Sequence, residues 1–172
     1  EEDRELLIKE AKRFREILSD LVSGQLDHQY LLYADGIIAL AEQKFAVAAV
    51  KLEETIKRKP DVEATVYRQA AFALAKTGAR GLAIERLTVA IGKEPSNLAN
   101  YLAKARMEIQ LFDSQAAAAT LSVLSEETRS REDVQELLNL VAMQRRNSQS
   151  TDFSDPVLRD IASSEQLTRE NK

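Results

Sequence analysis

The sequence predicts an all-α chain: a right-handed α-solenoid of three helix-turn-helix repeats, with a leading N-terminal helix and a C-terminal capping helix. Three observations predict it. Gly36, Ala71 and Ala105 form one column of small residues, separated by 35 and 34 positions, and Ala48, Ala83 and Ala117 form a second with the same steps. Large residues keep that phase: Leu32, Tyr67 and Tyr101, then Leu52, Leu87 and Leu121, with Pro60 returning as Pro95. The composition is that of a helical protein, with 5 Gly and 3 Pro in 172 residues and an abundance of Ala, Leu, Glu, Lys, Arg and Gln. Such a period has a physical cause. Each helical pair leaves an apolar face that only the next pair can cover.

Taken in order, residues 3–22 read as a long helix. Leu7, Ala11, Phe14, Leu18 and Leu21 are spaced as one apolar stripe, and Ser23-Gly24 is expected to end it. Phe14 and Leu18 stand 34 before Ala48 and Leu52, so this helix reads as a degenerate leading half-repeat expected to pack on the first repeat. Its mixture of acidic and basic residues argues against a membrane-surface role. Asp27 is expected to cap a helix over 28–42. After the turn at 43–45, a helix over 46–58 ends in Lys57, Arg58 and Lys59, where positive charge suits the helix dipole. Pro60 stops it. Helices over 63–76 and 80–92 are joined by Thr77-Gly78-Ala79, and helices over 98–111 and 114–126 are joined around Asp113. Ser130 and Asp133 nearly match a capping box, opening a helix over 131–146 with Val134, Leu137, Leu138 and Val141 on one face. The expected organisation is a single helical domain over 1–146. Within it lie a leading helix (1–24), repeats at 29–62, 64–97 and 98–129, and a capping helix (130–146). The remainder, 147–172, reads as a polar, flexible tail in which Asp155-Pro156 starts a short helix.

Composition narrows the chemistry. The net charge of −4 is opposite in sign to that of a nucleic-acid binder, so no nucleic-acid partner is expected. Without Cys there is no disulfide, thiol nucleophile or thiolate metal site. His28 is the single histidine, so a Ser-His-Asp triad would have to be built on a residue that reads as a cap at a helix start. Adjacent Glu53-Glu54 and Glu126-Glu127 point in different directions on a helix and make no acid/base dyad. Gly78-Ala79-Arg80-Gly81 lacks the strand and the Lys-Ser/Thr of a phosphate loop. No catalytic residue, metal or cofactor is expected. No apolar run reaches the ~18 residues of a membrane span, so no direct membrane insertion is expected. The chain reads as soluble, cytoplasmic or periplasmic if bacterial. It opens on Glu1 rather than Met, as a trimmed or processed chain does, so a leader or anchor is neither predicted nor excluded.

These columns resemble the tetratricopeptide repeat (TPR) family. Its motif sets a large, an apolar, a small and a large residue in the first helix, then a small and a large residue in the second, then proline. The first unit reads Leu32, Asp35, Gly36, Ala39, Ala48, Leu52, Pro60; the second Tyr67, Ala70, Ala71, Leu74, Ala83, Leu87, Ala90, Pro95; the third Tyr101, Lys104, Ala105, Glu108, Ala117, Leu121, Leu124. Asp35, Lys104 and Glu108 depart from apolar slots, and Arg129 stands where proline is usual. Lys104 and Glu108, four apart, are expected to pair on an exposed face.

The resemblance implies that first helices line a concave groove. By repeat phase that groove would present Tyr33, Ile37 and Leu40, then Arg68, Gln69, Phe72 and Lys76, then Leu102, Arg106 and Gln110. Apolar anchors among three positive charges suit a peptide segment of another protein bearing acidic or carboxylate groups. The Lys-Asn carboxylate clamp of some family members is absent. The expected function is a non-enzymatic interaction module, an adaptor or scaffold. One alternative is a secretion-type chaperone, since the layout resembles the type III secretion chaperones of translocator proteins. Another is an assembly subunit of a larger anchored complex, with self-association through the array and the N-terminal helix.

If the helices pack in this phase, Ala83→Leu overfills a small slot and should destabilise the fold by about 1–3 kcal/mol, measured by chemical denaturation. Wild-type stability would rule the phase out.

Overall fold

The computed structural model describes residues 2–21 and 28–150. Within them the chain forms α1 (Glu2–Leu21), α2 (Gln29–Ala41), α3 (Phe45–Arg58), α4 (Ala64–Lys76), α5 (Arg80–Lys93), α6 (Leu98–Gln110), α7 (Ser114–Ser122), α8 (Glu126–Arg129) and α9 (Glu132–Ser150), with no strand. From α1 to α7 each helix packs on its successor, and α9 packs on α6 and α7. The pairs α2/α3, α4/α5 and α6/α7 are the three hairpins of a helical solenoid.

Small residues set the spacing inside each hairpin. Ala48, Ala71, Ala83, Ala105 and Ala117 are all fully buried. A Cβ on Gly36 would lie 2.8 Å from Leu52 Cγ and 2.9 Å from Leu52 Cδ2. Leu52 is itself fully buried and has no room to retreat. Large side chains fill the space beside these seams. One cluster joins Leu74 and Leu87 to the alanines; a second joins Leu52, Ile56, Val66 and Tyr67; a third joins Leu102, Leu121, Val134 and Leu137.

The hairpin turns are three copies of one device. Gln43, Gly78 and Phe112, again 35 and 34 apart, have positive φ of 59°, 87° and 59°. The following amide reaches back five residues in each case: Lys44 to the Ala39 carbonyl at 2.8 Å, Ala79 to Leu74 at 2.9 Å, Asp113 to Glu108 at 2.9 Å. This is a Schellman closure, which needs one left-handed residue. Only the second unit supplies a glycine for it.

Between hairpins, Pro60 and Pro95 sit in turns as expected. The Tyr67 hydroxyl donates to the Pro60 carbonyl at 2.6 Å, tying the second unit to the end of the first. On the second helices, Arg86 of α5 donates to both Glu53 oxygens of α3, at 2.8 and 2.6 Å. That bidentate bond holds the guanidinium pKa above its ordinary value.

Several expectations are corrected. The α2 cap is His28, whose Nδ1 accepts from the Tyr30 amide; Ser23-Gly24 and Asp27 lie outside the described residues. The α1 stripe divides. Ala11 and Leu18, with Ile8 and Arg15, are half-buried toward the repeats, whereas Phe14 and Leu21 are exposed; the Leu7 side chain is outside the described set. The expected helix over 114–126 is interrupted after Ser122 and restarts as α8, because the Ser125 hydroxyl caps the Thr128 amide. Ser130 forms no capping box: its hydroxyl donates back to the Glu127 carbonyl. The last helix continues to Ser150, four residues beyond its expected end, and 151–172, with the helix expected at Asp155-Pro156, lie outside the described residues.

Lys104 and Glu108 do approach, at 3.6 Å, but Glu108 is buried, not on an exposed face. Its second oxygen accepts from the Thr120 hydroxyl at 2.8 Å. The third hairpin is thus closed in part by a buried polar pair, with Glu108 standing where the second has Leu74. Asp35, the other departure, accepts from Arg15 of α1 at 2.6 Å.

Two predictions follow from this packing. Gly36→Ala should destabilise by about 1–3 kcal/mol, read as a lower denaturant midpoint. The α1–α2 contact should weaken in acid. Lys12, with Lys44, holds the Glu42 carboxyl down at about 2, against an ordinary 4.5. A depressed carboxyl stabilises the folded form above its ordinary pKa, and that contribution fades as pH falls from 4.5 toward about 2. Protection of the α1 amides against exchange, corrected for the intrinsic pH dependence of the reaction, should fall over that interval in wild type and change less with pH in Glu42→Gln.

Candidate functional site

The first helices α2, α4 and α6 carry the expected groove residues, and their environments differ. Phe72, 47% exposed, meets Phe45 edge to face at 5.8 Å between ring centroids. The Lys76 ammonium lies 5.5 Å from the Phe72 centroid and 5.9 Å from that of Phe45. This cation–π contact holds the charge over an aromatic pair that solvent still reaches. Phe45 was not among the expected site residues. Its place at the start of α3, just after the left-handed Gln43, brings it to the α4 ring.

Arg68 is engaged within the protein. It donates to Asn100 Oδ1 at 3.3 Å and to the Thr65 hydroxyl at 3.1 Å, and lies 3.5 Å from Glu94. Its positive charge is therefore largely compensated. Gln69 is half-buried, and its Oε1 has no hydrogen-bond partner among the described residues. Gln110 accepts from Arg80 at 3.2 Å. Arg106 is exposed and makes no side-chain hydrogen bond or ion pair among the described residues.

The apolar members separate into two groups. Tyr33, Ile37 and Leu40 are half-buried and pack on the cluster of Leu52, Ile56 and Tyr67. Tyr33 also borders a 640 Å³ depression with Phe14, Leu18, Tyr30 and Val66. Leu102 is only 8% exposed, in the cluster completed by Val134 and Leu137 of α9. The arrival of α9 removes Leu102 from any ligand-facing surface.

The same helix adds residues that the sequence reading missed. Leu140 stands 34 after Arg106, in the column Ile37, Phe72, Arg106. Leu140 and Met143 are 41% and 56% exposed. Val134, Leu137 and Val141 bury the opposite side of α9, and the Gln144 side-chain amide donates to the Ile109 carbonyl at 2.7 Å. The step of 34 was the available signal. It was obscured because Asn139 stands where the earlier units have Gly36, Ala71 and Ala105. Among the described residues no further helix packs there, so that slot can be polar.

Among the described residues, no group of three or more His, Cys, Asp or Glu could hold a metal ion, and no helix is long and apolar enough to cross a membrane. No protein-family model and no curated protein matches the chain. Among solved structures it is similar to the TPR2B domain of yeast Sti1 in its pHsp70 complex. The identity is 24%, the match covers 69% of this chain and 97% of that one, and the TM-score is 0.55. The likeness shows the fold, a solenoid of the TPR type.

Proposed function

We propose that this chain is a non-enzymatic interaction module whose concave face holds a peptide segment of another protein. The observation that carries this reading is the Phe45–Phe72–Lys76 group. A half-exposed ring, braced by a second ring and overlaid by a cation, is an apolar anchor point beside fixed positive charge. Arg106, one unit further on, supplies an uncompensated charge, and Leu140 and Met143 extend the apolar surface beyond it. A ligand matching that order has an apolar or aromatic side chain at Phe72, a carboxylate near Arg106 and a second apolar side chain toward α9. The pHsp70 complex of the similar yeast domain is consistent with such use of the fold. Arg68 contributes less than its position implies, because Glu94 and Asn100 already occupy it.

A displayed random-peptide library supplies a ligand when the natural partner is unnamed. Selection on the purified chain should enrich peptides combining apolar anchors with Asp, Glu or a free C-terminal carboxylate. Phe72→Ala should weaken the best of them by about 1–3 kcal/mol, roughly 5- to 150-fold. Its melting temperature should hold, since half the ring is already in solvent. Arg106→Glu should weaken binding more at low salt than at high salt, because ions screen the repulsion. Enrichment of basic peptides, or unchanged affinity in both folded variants, would refute the groove.

A further inference from the structure

Helix α1 turns two different faces to its surroundings. Arg15 and Lys12 fasten it to Asp35 and Glu42, and Ile8, Ala11 and Leu18 are half-buried toward the repeats. Beside that side, Leu6, Phe14, Ile17 and Leu21 are 59%, 59%, 50% and 74% exposed, with Phe14 at the edge nearest the repeats, where it borders the depression shared with Leu18 and Tyr33. At about 100° per residue these four fall within a sector of about 80°. They form an apolar stripe, interrupted between Leu6 and Phe14 by the exposed Glu10, on a helix that is otherwise strongly charged.

The charges beside the stripe are arranged symmetrically. Lys9, Arg13, Glu16 and Asp20 are exposed along one flank and make no ion pair among the described residues. Lys9 and Asp20 are equidistant from the midpoint between residues 14 and 15, and so are Arg13 and Glu16. A two-fold axis through that midpoint therefore sets Lys9 against Asp20 of a second copy and Arg13 against Glu16, each pair formed twice. The same axis brings the two Phe14 rings together at the centre, with Ile17 outside them and Leu21 interleaving with Leu6 of the second copy at each end. In a parallel two-fold pair this flank would face the opposite flank of the second copy, and the matched charges would not meet.

We infer that α1 is a self-association surface, on which two copies of this chain pair through antiparallel α1 helices centred on Phe14. A seam one helix wide is at the low end of interface sizes, about 1,200 Å² in total, so a dimer in exchange with monomer is expected. Glu10 lies inside the apolar sector, between Ile17 and Leu21 of the second copy, and weakens the seam. The inference is independent of the groove reading, because neither Phe72 nor Arg106 takes part.

Sedimentation velocity of the full chain, from low micromolar to several hundred micromolar, tests it. A concentration-dependent dimer is expected. Phe14→Glu should abolish it without lowering the melting temperature of the dilute protein. Arg13→Glu should raise the dissociation constant about tenfold, and Arg13→Glu/Glu16→Arg should restore it, since the double exchange rebuilds both pairs in reverse. Glu10→Leu should tighten the dimer. A chain that stays monomeric throughout overturns the inference. So does a dimer indifferent to Phe14→Glu, or one that the double exchange fails to rescue.

Discussion

Everything in this molecule depends on how closely the two helices of a hairpin can approach. Gly36, Ala71 and Ala105 face the second helices, and at Gly36 even a methyl group would overlap Leu52. That approach sets where Leu52, Leu87 and Leu121 lie, and these three leucines are essentially excluded from water. Close-packed interiors do not stretch to accommodate a misfit. The distance fixed at one seam is thus transmitted to the next helix, and the solenoid is the sum of three such steps. The side chains of the first helices are distributed by the same rule: residues one unit apart occupy the same turn of successive helices.

The sequence revealed what periodicity can encode. Small columns, large columns and proline positions defined three hairpins, and α3 to α6 begin and end within one residue of expectation. It revealed less wherever a contact joins residues unrelated by the repeat. Phe45 reaches Phe72 because a left-handed residue redirects the chain just before α3. Leu102 is covered because α9 arrives from thirty residues further on. Arg68 is neutralised by Glu94, which stands in a turn that no pattern connects to α4. Glu108 looked solvent-facing because a charge in an apolar slot usually is. Its burial rests on Thr120 and Lys104, and buried charge of this sort survives only with such partners.

The polar character of the proposed groove is therefore narrower than its composition. Of the three cations Arg68, Lys76 and Arg106, one is compensated by Glu94, one overlies two rings and one is open to solvent. Screening at physiological ionic strength limits the reach of the open charge to about 8 Å, so selectivity would reside in the local surroundings of Arg106 rather than in a broad field. The half-exposed rings are a separate, short-range element. In the proposed groove, their combination would favour recognition of a pattern along a chain over attraction of any acidic surface.

The two edges of the solenoid differ in one further respect. Where α2 meets α3, α4 meets α5 and α6 meets α7, the turn is closed by a backward amide bond around one left-handed residue. That geometry admits no change of length, since one added residue would break the bond and rotate the following helix off its seam. The connections at 59–63 and 94–97 are held mainly by proline and by contacts such as Tyr67 to Pro60. Sequence insertions, whether acquired in evolution or introduced as tags and reporter loops, should therefore accumulate along this second edge alone.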